Sequence, residues 1–301
     1  MKQGMVGLVS GVMAACAVAA GLDDVVAPGT VAEKLADGFK FTEGATVNAA
    51  GEVFFVDQPN NKILRWSREQ GLRTFMDPAG RANGMCFAPD GSLLVCADEK
   101  MELWSVTPEG TVTVLAKAHA DKAFNGPNDV WACPQGGGCY FTDPFYKRPW
   151  WTHAEAPQGT QQVVYFLPKG GTPRRVTEDL QQPNGIVGTP DGKQLFVADI
   201  KAKKVFAYAI QPDGALAGKR LFCEMGSDGM TLDADGRIYL TNKEGVYVYD
   251  PAGVFLGVIK IPEGWSANVC IGGPKKDTLY VTASRGFYAV PLKVKGTPQG
   301  K

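Results

Sequence analysis

The sequence has no excess charge of either sign: its 301 residues carry 31 Lys and Arg against 31 Asp and Glu. Proteins that grip nucleic acid through its phosphates normally present a basic excess or stripe, so no nucleic-acid partner is expected. Histidine is nearly absent, with only His119 and His153, and no Gly-x-Ser-x-Gly occurs. A Ser-His-Asp hydrolase site therefore has almost nothing to be built from. None of the seven cysteines has the Cys-x-x-Cys spacing of a zinc or redox site. Low-complexity tails are missing, and beyond the first twenty residues no stretch is long and apolar enough to span a bilayer.

What is present in quantity is turn-forming residue. Thirty-seven Gly and 20 Pro spread over the whole length suit many tight turns and an all-β chain. Residues 1–20 differ from the rest, with one Lys at Lys2, an uncharged Ala-, Val- and Gly-rich run, and Ala17-Val18-Ala19. They read as a secretory signal peptide with an A-x-A cleavage site, so the mature protein is expected in the periplasm or secreted, with no membrane partner. A membrane anchor fits less well because the run is Gly-rich, and the lipoprotein-box reading of Met13-Ala14-Ala15-Cys16 has Met where Leu is usual. Export permits disulfides. A hairpin closing on Pro134-Gln135-Gly136-Gly137-Gly138 would set Cys133 opposite Cys139, and a bridge is expected there. For Cys86 and Cys96 a one-residue change of register separates the faces, and Cys223 and Cys270 read as small buried hydrophobes.

Internal repetition decides the fold. Asn83-Gly84-Met85, a Pro89-Asp90-Gly91 turn and Leu94-Val95-Cys96-Ala97-Asp98 recur as Asn184-Gly185-Ile186, Pro190-Asp191-Gly192 and Leu195-Phe196-Val197-Ala198-Asp199, and again from Asp228-Gly229-Met230 to Ile238-Tyr239-Leu240-Thr241-Asn242. Six such units predict a six-bladed β-propeller of four-stranded blades with a central metal-binding channel, one domain over 30–301. Too few residues follow Asn268 for four strands, so a segment from Thr30 to Asp37 is expected to close the sixth blade. Eight residues before each turn anchor stand Glu43, Asn83, Asn128, Asn184, Asp228 and Asn268, at steps of 40, 45, 56, 44 and 40 residues. Equivalent positions in a propeller form one ring about the axis. Asn and Asp are common turn formers, which explains any one position well and a six-fold match poorly. Converging oxygen donors suit a hard divalent cation, Ca²⁺ first and Mg²⁺ or Mn²⁺ next, and the lack of His and Cys argues against a conventional structural Zn²⁺ site.

Phe41-Thr42-Glu43-Gly44, Pro127-Asn128-Asp129-Val130, Pro183-Asn184-Gly185-Ile186 and Ser227-Asp228-Gly229-Met230 resemble the motifs of the gluconolactonase and senescence marker protein family, and the likeness runs from about Phe41 to Tyr288. The resemblance implies a metal-dependent lactonase acting on a small-molecule sugar lactone. It also implies one divalent metal ion, with Glu43, Asn184 and Asp228 as ligands and Asn128 as a ligand or a substrate contact; beside Ca²⁺ the candidate ions are Zn²⁺, Mg²⁺ and Mn²⁺. Asp228 is the implied general base, and activation of the water by the ion is the rival. A phosphotriesterase-type hydrolase and a non-catalytic sugar-binding propeller are the alternatives. The long step after Asn128 marks an insertion in blade 3, rich in Pro and aromatics. From it Tyr146, Arg148 and Trp150 or Trp151 are expected to roof the channel and contact the sugar. The competing reading is that these rings cover a neighbouring apolar surface, and Trp265 carries the same ambiguity.

Overall fold

Each repeat folds as a four-stranded antiparallel blade whose burial falls from axis to rim. In blade 1 the strands Thr42–Val47 and Val53–Asp57 are wholly buried, Lys62–Ser67 alternates, and Gly71–Met76 is largely exposed. The second strand is a nearly continuous apolar run because neighbouring blades cover both its faces, whereas the third strand alternates between buried and half-buried residues. The computed structural model describes residues 21–297. The expected signal peptide and its Cys16 lie outside the described residues. Six four-stranded sheets are present among them. Blade 2 runs from Ala82–Phe87 at the axis to Val112–Ala116 at the rim, blade 3 from Val130–Ala132 to Arg174–Thr177, blade 4 from Pro183–Gly188 to Leu216–Cys223 and blade 5 from Met230–Leu232 to Phe255–Lys260. The first strands of successive blades touch in a closed ring.

Blade 6 joins the two ends of the chain. Ser266–Gly272, Thr278–Ala283 and Gly286–Pro291 are followed in space by Glu33–Asp37, which pairs antiparallel with Gly286–Pro291. Upstream of residue 30, Val25 and Val26 are already buried among Val246, Ile259 and Val281 in the seam between blades 5 and 6, so the folded contacts begin earlier than the expected start. The hydrophobic core is divided into such seams. Phe55, Trp66 and Phe287 fill the one between blades 6 and 1, and Trp131, Ile186 and Phe196 lie in the one between blades 3 and 4.

The expected Cys133–Cys139 bridge is not formed, and both are thiols. The register is the reason. Ala132 faces Cys139 and the Cys133 amide bonds to the Gly138 carbonyl at 2.9 Å, so the two side chains fall on opposite faces of the sheet. Cys139 packs in the seam between blades 2 and 3, and Cys133 packs toward blade 4. Burial pushes the Cys133 thiol up to about 12. Cys86 faces Leu94 and not Cys96.

Candidate active site

Five of the six ring residues face the channel, and the innermost strands are irregular where the ring residues stand. In blades 1, 2, 4 and 6 the register with the second strand slips at Glu43, Asn83, Asn184 and Asn268, and in blades 3 and 5 the strand begins two residues after Asn128 and Asp228. Such slips re-aim a side chain out of the normal alternation. Two glycines let adjacent inner strands approach. A Cβ on Gly44, at φ +60°, would stand 2.0 Å from the Asn83 carbonyl oxygen, and one on Gly185 would stand 2.2 Å from the Asp228 carbonyl oxygen. Gly185→Ala is therefore expected to lower stability by about 1–3 kcal/mol through overpacking, read as a drop in melting temperature. A melting temperature equal to that of the unaltered protein would contradict the tight inner ring.

Glu43, Asn83, Asn128, Asn184 and Asp228 line one channel cavity of about 220 Å³ with Phe41, Gln58, Tyr146, Arg148, Ile200 and Trp265. The sixth ring member, Asn268, stands behind: its Nδ2 donates to Glu43 Oε2 at 3.2 Å, and the Gly44 amide donates to the same oxygen at 2.8 Å. Asp228 Oδ2 accepts from Trp265 Nε1 at 2.6 Å. Both carboxyl groups are pushed above the ordinary carboxylate range, Glu43 by burial and then by the charge of Asp228, Asp228 to about 6 by burial against hydrogen bonds from Trp265 and Asn184. Neither has an ion-pair partner among the described residues, and the arginine on the channel wall, Arg148, is paired with Asp98 at 2.9 Å. A larger groove of about 700 Å³ opens between blades 2 and 3, beside the Pro89-Asp90 and Pro134-Gln135-Gly136 turns. No converging buried carboxylates line it, so the chemistry belongs to the channel.

The insertion supplies the roof, though not with every residue expected. It is pinned: buried Asn125 donates to the carbonyls of Asp143 and Thr160 at 2.9 and 2.7 Å, and buried Gln158 donates to those of Lys122 and Ala123 at 2.7 and 2.9 Å. Tyr146 reaches the ring, its hydroxyl accepting from Asn184 Nδ2 at 2.8 Å, and burial keeps its hydroxyl protonated. Arg148 lies over the Tyr146 ring, 5.1 Å from its centroid. Trp150 is not on the channel wall, because its indole N–H is held by Asp98 Oδ1 at 3.1 Å. Trp151 stacks on His153 and Phe145. Sequence reasoning passed over Gln58 and Ile200, yet each directly follows the Asp that closes a second strand, at Asp57 and Asp199, a repeat feature that could have marked them.

The donor set fits a hard divalent cation. Two buried, mutually repelling carboxylates with carboxamides beside them lack a counter-charge, and oxygen ligands of this kind suit Ca²⁺. Glu43, Asn184 and Asp228 would hold the ion, with Asn128 on the same wall. Among the described residues no cluster of three or more His, Cys, Asp or Glu gathers, so a nitrogen- or sulfur-rich zinc centre has no counterpart there.

Residues 41–285 match the family described as SMP-30/Gluconolactonase/LRE-like region. The chain is 26% identical to a gluconolactonase of Zymomonas mobilis, over 91% of this chain and 85% of that protein. It is 27% identical to a pentonolactonase of Haloferax volcanii, over 78% of each. A solved gluconolactonase from Xanthomonas campestris superposes with a TM-score of 0.82 at 25% identity, over 90% of this chain and 92% of that one. With a six-bladed fold and a family match over most of its length, the chain belongs to the SMP-30/gluconolactonase/LRE-like family.

Proposed function

We propose that the channel hydrolyses a sugar lactone, with one divalent cation, Ca²⁺ first, held by Glu43, Asn184 and Asp228, and that the protein acts after export. The observation that carries this reading is the pair of buried, uncompensated carboxylates facing a small channel walled by carboxamides; the family and its gluconolactonase and pentonolactonase relatives support the substrate class. A bound cation supplies Lewis acidity toward the ester carbonyl oxygen and offsets the negative charge that develops there. Asp228 does the proton work. One of its oxygens is taken by Trp265, and the other takes a proton from the attacking water and returns it to the ring oxygen as the C–O bond opens. Burial raises its proton affinity in the metal-free channel and a bound cation would lower it, so activation of the water by the ion is the rival route. The Tyr146 hydroxyl, accepting from Asn184, keeps its own proton to donate to the substrate.

The test is acid release from gluconolactone by chelator-treated protein with and without added Ca²⁺. Metal-dependent release supports the reading, fluoride release from a fluorophosphate with no lactone turnover supports a phosphotriesterase, and neither leaves a sugar-binding propeller. A pH dependence accompanies it. Because the folded state holds protons on Glu43 and Asp228 more tightly than the unfolded chain, the metal-free protein loses stability as pH rises from the ordinary carboxylate range through about 6. Calcium must displace those protons at low pH. The gain in melting temperature on adding excess Ca²⁺ is expected to be small at about pH 4.5 and large at about pH 7.5; an equal gain at both would place the ion elsewhere.

A further inference from the structure

One position of the repeat loses its usual polar side chain in blade 2, where it is Ala97. The side chain that closes the second strand normally ties down the segment leading into its own blade. Asp57 accepts from the amides of Lys40 and Phe41, Asp143 from those of Asn125 and Gly126, and Asp199 from those of Gln181 and Gln182. In blade 5 the Asn242 amide donates to the Gly226 carbonyl, and in blade 6 Ser284 bonds to the Trp265 backbone. In blade 2 the register puts Ala97 at that place, since Ala97 faces Glu102 as Asp57 faces Lys62 and Asp199 faces Lys204, and Asp98 stands one residue on, where blades 1 and 4 carry Gln58 and Ile200. Asn61 of blade 1 has taken over, its Oδ1 accepting from the amides of Ala79 and Arg81 at 3.0 and 2.6 Å.

From the next position Asp98 meets the roof. Its carboxylate is 2% exposed, and Oδ2 accepts from Arg148 Nε at 3.0 Å and from an Arg148 Nη at 2.9 Å while Oδ1 holds Trp150 Nε1. Arg148 and Arg81 lie 5.6 and 4.7 Å from the Trp150 ring centroid, so Trp150 packs against both guanidinium groups. Arg148 still lines the channel, and its planar fork has five N–H donors, of which Asp98 takes two. The charge of the guanidinium is balanced by Asp98, so what it offers the channel is hydrogen bonding and not a net positive charge.

We propose that Asp98 is a positioning residue that locks Arg148 against the channel as a hydrogen-bond donor to substrate hydroxyl groups, which selects neutral, hydroxylated lactones. The proposal rests on the lactonase reading. It is tested by steady-state kinetics of Asp98→Asn on gluconolactone and on δ-valerolactone, which has the ring ester and no hydroxyls. The expected result is a rise of about tenfold in KM for gluconolactone with kcat held within about twofold, and little change in KM for δ-valerolactone, because the lost contact is made to hydroxyls in ground and transition state alike. Arg148→Lys keeps the charge and loses the fork, and is expected to show the same split; it serves as the second variant if Asp98→Asn melts early. In the double variant the KM effect is expected to be no larger than for either change alone, since both break one contact. Equal loss on both lactones, a fall in kcat alone, or additive effects would reduce Asp98 to a structural brace and overturn the proposal. Absence of turnover of both lactones by the unaltered protein sinks the lactonase reading and this proposal with it, an outcome distinct from an active enzyme indifferent to Asp98.

Discussion

Asp228→Ala is expected to reduce lactone turnover by about 10³-fold or more while the metal-free protein keeps or gains stability. The loss follows from two roles converging on one side chain. A positioned general base contributes about 10²–10⁴-fold, and the same carboxylate supplies one of the two charges available to a cation in the channel. The stability change has the opposite sign because Asp228 is a buried carboxylate whose charge raises the proton affinity of Glu43. Removing it relieves that repulsion, at the expense of the acceptor for Trp265 Nε1. Asp228→Asn separates the roles, since it keeps an oxygen for Trp265 and removes only the charge and the basicity. Turnover in Asp228→Asn near that of the unaltered protein would assign the proton transfer to another group. A large fall in melting temperature for both variants would make Asp228 a structural residue.

The fold was legible because the repeat is. The turn anchors and the residues eight before them recur at steps of 40 to 56 residues, and the strands they mark fold as a propeller requires, with the first strands around the axis and Glu33–Asp37 closing blade 6. Five of the six ring residues do line the channel cavity. Asn268 does not, and sequence could not separate it from the others, because its withdrawal depends on Glu43 lying across the blade boundary to take its amide.

The roof was only half legible, for a related reason. An insertion rich in Tyr, Arg and Trp announces a binding loop, but which ring faces the ligand is decided by a contact with another blade. Asp98, 52 residues upstream, captures Trp150, while Tyr146 reaches Asn184 in blade 4. The disulfide expectation failed on a single residue of register: a loop in which Gly138 pairs with Cys133 turns Cys139 to the other face, and loop length does not fix that register.

Glu43→Gln is expected to weaken calcium binding about 100-fold, equivalent to about 2.7 kcal/mol, with far less effect on the fold. The argument is partly Coulombic, since a hard divalent ion bound close to a carboxylate in a poorly solvated channel loses one of two full negative charges. Local geometry adds to it. Glu43 Oε2 accepts from both the Gly44 amide and Asn268 Nδ2, and a glutamine can satisfy those donors only by turning its own oxygen toward them. Its NH₂ then points into the channel, where it presents a donor to a cation. Asn268→Ala leaves the charge in place and removes one brace, so its effect should be smaller, on the order of a few-fold to tenfold, as for groups that orient a ligand without touching the ion. Calorimetric titration of chelator-treated protein with Ca²⁺ measures both. If Glu43→Gln bound calcium as tightly as the unaltered protein and turned over lactone at full rate, the ring of carboxylates and carboxamides would be turn chemistry repeated six times, and the ion would have to be sought elsewhere.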